Sequence, residues 1–237
     1  MSFSALSSAL RSARSRSLAA AFSPRSIANL VAWFDADDPA SVQMGTGVSA
    51  WTSSVATQIT FTQGTANNQP AYQIAQQNGR NAIYFDGTND SLGLGDQSAL
   101  FPSAASVVVA FRPDTDTEYA LLITGNNSSF WQYPTNTTYI GTFKGTRLGG
   151  VSTTLPTSGN AVVSITSSSS AYRVYSRTTL AHDVAGDYSA GSNYRMGNND
   201  LGTFYKGWVY EALYFSRAIS AAEVTILNSY LSWKWRI

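Results

Sequence analysis

The sequence is 237 residues long, with 15 basic and 14 acidic side chains and a net charge of +1. Only 12% of positions are charged, against about 25% in an ordinary soluble domain, while 33 serines, 23 threonines and a 13% aromatic fraction give a β-rich balance. Cysteine is absent, which excludes disulfides, thiolate zinc sites, iron–sulfur clusters and a thiol nucleophile, and the length suits one large sandwich or barrel or two smaller domains.

The charge is unevenly placed. Arg11, Arg14, Arg16 and Arg25 precede the first acid, Asp35, so a short basic arm leads into a mildly acidic body. Phe3, Leu6, Leu10, Ala13 and Ser17 recur at spacings of three and four, which predicts a weakly amphipathic helix ended by Ser23-Pro24. Serine-, alanine- and arginine-rich, acid-free N-termini also describe organelle transit peptides. The preferred reading is an anchoring arm, residues 1–27, in which Phe3, Leu6 and Leu10 are buried on a partner while Arg11, Arg14 and Arg16 meet acidic rims. No apolar run is long enough to span a membrane, and no secretory h-region with a cleavage site is recognisable.

From Leu30 the chain reads as short β-runs between turn residues. The expected strands are 30–34, 48–51, 81–85, 106–111, 119–124, 139–143, 161–166, 172–176 and 207–215. Asp86 to Asp90 (DGTND) and Ser167 to Ser170 supply turns. About ten strands at this spacing predict a two-sheet sandwich. The period then changes: Ser220-Ala221-Ala222-Glu223 is a capping box, and Val224, Leu227, Tyr230 and Leu231 repeat at helical spacing.

Four of these segments carry a family resemblance. Leu30 to Asp38 (LVAWFDADD), Val48 to Trp51 (VSAW, followed by Thr52 where Asp or Asn is usual), Ala82 to Leu92 (AIYFDGTNDSL) and Trp208 to Trp235 resemble, in this order, the concanavalin A-like lectin/glucanase superfamily. The likeness is strongest to laminin-G-like domains of bacterial surface and phage structural proteins. It implies an all-β fold: a two-sheet antiparallel jelly-roll sandwich over residues 28–237, with a short C-terminal helix and the N-terminal arm outside it. The concave face of some relatives binds saccharide, and function varies from one member to the next.

Catalysis is tested first. Glycoside hydrolysis needs two carboxyl groups across the scissile bond, and glucanase relatives carry them as E-x-D-x-x-E. Glu118, Glu211 and Glu223 stand in no such motif. Glu223 is a helix cap, and Glu211 is read as an outward-facing strand carboxylate paired with an arginine or lysine. His182, the lone histidine, has no nucleophile elbow beside it and is read as an exposed loop residue. No enzyme is expected.

Binding chemistry remains. Phe130-Trp131-Gln132-Tyr133 and Tyr139, with Asn127 and neighbouring amides, combine aromatic faces with hydrogen-bonding groups, as sugar recognition requires. Strand aromatics also pack sandwiches, and Trp33, Trp51, Trp208, Trp233 and Trp235 are read as core or helix-docking residues. Calcium, which laminin-G relatives bind, has candidate ligands in Asp35, Asp37, Asp86 and Asp90, but turn formation is the default reading of these residues and no cofactor is expected. With three lysines and an acidic body, nucleic acid is not expected as a partner. By analogy the expected function is that of a phage virion protein, made in bacterial cytoplasm and docked by its arm on a major capsid or tail protein as a decoration or head-fibre component, with a homo-oligomer as the expected assembly. The alternative is an adhesin or carbohydrate-binding module that recognises host surface polysaccharide.

Overall fold

The structure is a computed structural model that describes residues 22–55, 59–95, 105–114, 119–124, 129–133, 139–144, 146–147, 151–152, 159–168, 170–185, 194–198, 202 and 204–237, with backbone alone between 119 and 152 and at 182, 184 and 185. In chain order the strands are β1 (Leu30–Asp35), β2 (Val42–Met44), β3 (Val48–Thr52), β4 (Thr60–Thr62), β5 (Ala71–Gln77), β6 (Arg80–Asp86), β7 (Leu92–Gly95), β8 (Ala105–Pro113) and β9 (Tyr119–Thr124). They continue as β10 (Ser129–Tyr133), β11 (Tyr139–Lys144), β12 (Thr146–Arg147), β13 (Val151–Ser152), β14 (Ala161–Ser167), β15 (Ala171–Ser176), β16 (Thr179–Ala185), β17 (Tyr194–Met196) and β18 (Lys206–Phe215), and helix α1 (Ala221–Trp235) closes the chain.

The strands form two antiparallel sheets, as the jelly-roll expectation required. One runs β16-β15-β14-β8-β18-β6-β5 with β1 also on β18; the other runs β12-β11-β10-β9-β17-β7-β4-β3-β2 with β13 on β11. The strand expectations missed mainly short strands such as β2, β4, β7 and β17, because three or four residues are too few to display an alternation. His182 proves to lie within β16, where its backbone pairs with Val174, and is not a loop residue.

The first sheet is covered on both faces, and its central strands are correspondingly apolar throughout. On β8, Val107, Val109 and Phe111 enter the core between the sheets, while Val108 and Ala110 enter a second core beneath α1. A strand buried on both faces reads as a continuous hydrophobic run, which is why Ser106 to Phe111 carries no polar alternation.

Helix α1 begins where the capping box placed it. The Ser220 hydroxyl accepts from the Glu223 amide at 3.3 Å, and the Glu223 carboxylate accepts from the Ser220 amide at 2.7 Å. Val224, Leu227, Tyr230, Leu231 and Trp235 are buried against the sheet. The hairpin between β5 and β6 meets the other end: Asn78 Nδ2 and Arg80 Nε donate to the Lys234 carbonyl, and Gln77 Nε2 donates to that of Trp235. These bonds satisfy helix-end carbonyls that have no partner inside the helix. Trp233, expected as a core or helix-docking residue, instead projects from the helix with 39% of its surface exposed.

Candidate functional site

The carboxylates come first, because they decide whether the sandwich can act as a glycosidase. Glu211 sits on β18 at a bulge: Val209 pairs with Phe111, yet Glu211 pairs with the next residue of β8, Ala110. An extra residue in one strand turns two successive side chains to the same side. Tyr210 and Glu211 therefore both face α1. The Tyr210 ring stacks on Trp235 at 5.1 Å, and the Glu211 carboxylate is fully buried.

Four donors surround that carboxylate. Oε1 accepts from Trp33 Nε1 at 2.7 Å and the Tyr230 hydroxyl at 3.0 Å; Oε2 accepts from Lys234 Nζ and Trp235 Nε1, each at 2.8 Å. Lys234 also pairs with Asp35 at 2.5 Å. Burial pushes the Glu211 carboxyl up from its ordinary value, and the Lys234 charge beside it pulls the other way. The expected basic partner is present, but the expected outward orientation is corrected: Glu211 fastens strand to helix and has no path to a substrate.

The aspartates weighed as calcium ligands each have partners within the chain. Asp35 faces Lys234, and Asp37 is ion-paired with Arg80 while its other oxygen accepts from the Asn81 amide at 3.1 Å. Asp86 Oδ1 accepts from Thr88 N at 2.7 Å, and Asp90 Oδ2 accepts from Asp86 N at 2.9 Å, the arrangement of a carboxylate-braced turn. Burial raises the Asp90 carboxyl to about 6. Among the described residues no cluster of three or more acidic, histidine or cysteine side chains is suited to a metal.

One aromatic row on the first sheet escaped the sequence reading. Tyr84, Trp208 and Arg112 stand side by side on β6, β18 and β8, with the guanidinium 3.9 Å from the Trp208 ring centre. Trp208 Nε1 donates to Gln73 at 2.6 Å and the Tyr84 hydroxyl to Asp114 at 3.1 Å. The indole and phenol donors of the row are thus each taken up by a side chain beside it.

The sugar-face candidates fall on the second sheet. Trp131 pairs with Gly141, Gln132 with Ile140 and Tyr133 with Tyr139. Met196 lies in the core between the sheets, it pairs with Leu122, and Leu122 pairs with Phe130. Paired positions share a face and successive positions alternate, so positions 131, 133 and 139 share one side of the sheet, while the pairing with β9 shifts register between Phe130 and Trp131. Three of the five candidates thus share one face, Gln132 takes the other parity, and Asn127 lies outside the described residues. The arm residues Phe3, Leu6, Leu10, Arg11, Arg14 and Arg16 also lie outside them.

No protein-family profile matches the chain, and no curated protein matches it either. Solved structures do. Domain 4 of a GH43 extracellular arabinanase from Geobacillus stearothermophilus, in complex with arabinotriose, aligns with 84% of this chain and 98% of its own length at 18% identity and a TM-score of 0.63. A mutant Trypanosoma rangeli sialidase displaying trans-sialidase activity aligns with 88% of this chain at 13% identity and a TM-score of 0.61. The binding domain of Paraclostridial Mosquitocidal Protein 1 aligns with 84% of it at 14% identity and a TM-score of 0.59. The match spans 33% of the sialidase chain and 52% of the mosquitocidal chain. At such identities the likeness is one of fold, and what this chain shares with all three is a β-sandwich domain.

Proposed function

We propose that this chain is a non-catalytic carbohydrate-binding domain whose ligand surface is the side of β10 and β11 that carries positions 131, 133 and 139. The observation that carries the reading is the near-complete overlap with arabinanase domain 4, a structure solved with a bound trisaccharide. Aromatic positions 131, 133 and 139 on one side of adjacent strands supply what sugar stacking needs. The burial of Glu211 beneath four donors supports the non-catalytic part, because it removes that glutamate from any substrate.

The test is titration calorimetry of the full chain with arabinotriose and a panel of soluble polysaccharides, repeated with Trp131→Ala. Loss of a stacking ring is expected to weaken binding at least tenfold, equivalent to about 1.4 kcal/mol. Wild-type affinity in Trp131→Ala moves the ligand surface elsewhere, and silence across the panel removes the reading.

A second reading rests on the acid-free, arginine-bearing residues 1–27: the sandwich is a capsid decoration or head-fibre component of a phage, held to a major capsid or tail protein by that arm. A chain shortened to begin at Ile27 is then expected to lose incorporation into particles. Unchanged incorporation refutes it.

A further inference from the structure

The two sheets divide the charge of the chain. Each acidic residue that stands within a described strand, Asp35 on β1, Asp86 on β6, Asp183 on β16 and Glu211 on β18, belongs to the first sheet. The ten described strands of the second sheet contain no aspartate or glutamate and three cations, Lys144, Arg147 and Arg195. The sequence from residue 119 to residue 182, which supplies β9 to β13, is free of acids throughout.

The ion pairs follow the same division. Arg80 with Asp37, Arg173 with Asp183, Lys206 with Asp114, Lys234 with Asp35 and Glu211, and Arg217 with Glu223 all tie together the first sheet, its flanking turns and α1. The positive charge of the second sheet has no acid in its own strands to oppose it, and a surface of one sign gathers ligands of the other.

Register sets one of these cations beside the aromatic positions. Across β10, β11 and β12, Tyr133 pairs with Tyr139, Trp131 with Gly141 and Phe143 with Arg147. Paired positions share a face, and so do alternate positions along a strand; 131, 133, 139, 141, 143 and 147 therefore lie on one side of the sheet. Lys144 has the other parity. Position 147 is two strands across and two residues along from position 131, a separation of about 12 Å. Gly141, opposite Trp131, contributes no side chain, as at strand positions where a ligand approaches the backbone.

We propose that the carbohydrate bound on this side is an acidic polysaccharide containing hexuronate residues, with sugar stacked at positions 131, 133 and 139 and the carboxylate of a neighbouring residue held by Arg147. The inference rests on the carbohydrate reading and narrows it to a substrate class. Arginine suits the task because its planar fork meets a carboxylate through two parallel N–H donors. A single cation on the aromatic side fits a glycan held mainly by stacking, whereas a nucleic acid needs several cations for its run of phosphates.

The test uses polygalacturonate and hyaluronate, each against its methyl ester, which keeps the backbone and removes the charge. Titration calorimetry of the full chain is expected to show at least one acidic polymer bound at least tenfold more tightly than its ester, with the advantage shrinking as salt is raised. Arg147→Gln is expected to remove that advantage while leaving affinity for the ester and the melting temperature unchanged, and Arg147→Lys to restore part of it. Equal binding of acid and ester, or an undiminished advantage in Arg147→Gln, overturns the acidic class and leaves the carbohydrate reading standing. Silence toward every glycan removes both, and tighter binding of single-stranded DNA than of either polymer assigns the surface to nucleic acid and overturns the proposal.

Discussion

Replacing Glu211 by glutamine removes one charge and one hydrogen-bond acceptor from a site with no water to replace them. Both carboxylate oxygens are doubly occupied, by Trp33 and Tyr230 on one and by Lys234 and Trp235 on the other. A glutamine amide keeps one acceptor oxygen and presents an N–H₂ to the other two donors, while Lys234 is left with Asp35 alone. Breaking one partner of a buried ion pair costs about 3–5 kcal/mol. In a protein of this size each kcal/mol moves the melting temperature by about 2–4 °C, so a fall of about 6–20 °C is expected for Glu211→Gln at pH 7, read by calorimetry and by the urea midpoint. Lys234→Met should be destabilising alone, and the double variant Glu211→Gln, Lys234→Met should lose at least about 1 kcal/mol less than the sum, because the two residues interact directly. A cost below about 1 kcal/mol for Glu211→Gln, or strict additivity in the double variant, refutes the view that this carboxylate fastens α1 to the sheet.

Three further outcomes follow from local geometry. Asp90 is held up at about 6 against an ordinary 3.8 by burial, so the unfolded chain releases this proton near pH 4 and the folded chain only near pH 6, and stability falls across that window; Asp90→Asn, which keeps an acceptor for the Asp86 amide, should abolish the fall and gain about 1–2 kcal/mol at pH 7 in urea unfolding. The Arg217 guanidinium holds Glu223 down at about 2 against 4.5, so its contribution is present above pH 4.5 and is lost as the pH drops toward 2; Glu223→Gln, which keeps the capping box, should flatten that part of the acid limb and cost about 1 kcal/mol at pH 7 through the lost ion pair with Arg217. At Gly207, with φ of 145°, an added Cβ would lie 2.3 Å from the Arg112 carbonyl oxygen, so Gly207→Ala should cost about 2–4 kcal/mol; a wild-type melting temperature in that variant contradicts the close approach of β18 to β8.

Much of the frame was legible because it depends on local chemistry. The capping box announced α1 through residues within one turn of each other, Ser106 to Phe111 announced a central strand by its continuous apolar run, and Trp208 to Phe215 did so with Glu211 as its one interruption. The sugar-face candidates were legible as aromatic alternation, but their side of the sheet was not, since that depends on pairing with β9 and β17, residues distant in sequence. Trp233 and Trp235 illustrate the limit: two residues apart on a helix they point in different directions, and only the position of the sheet decides which is buried.

By itself, then, the sequence determined the β-sandwich with its closing helix, since strand patterning, turn residues and caps act over a few neighbouring positions. The fate of Glu211 was decided by tertiary structure alone. Simple alternation along β18 would set it on the same side as Val209, in the apolar core between the sheets, whereas the bulge against β8 turns it toward α1. There Trp33 from β1 and Tyr230, Lys234 and Trp235 from α1 converge, two parts of the chain far apart in sequence. A buried charge is tolerated only where such donors meet it, and their meeting is a property of the folded chain.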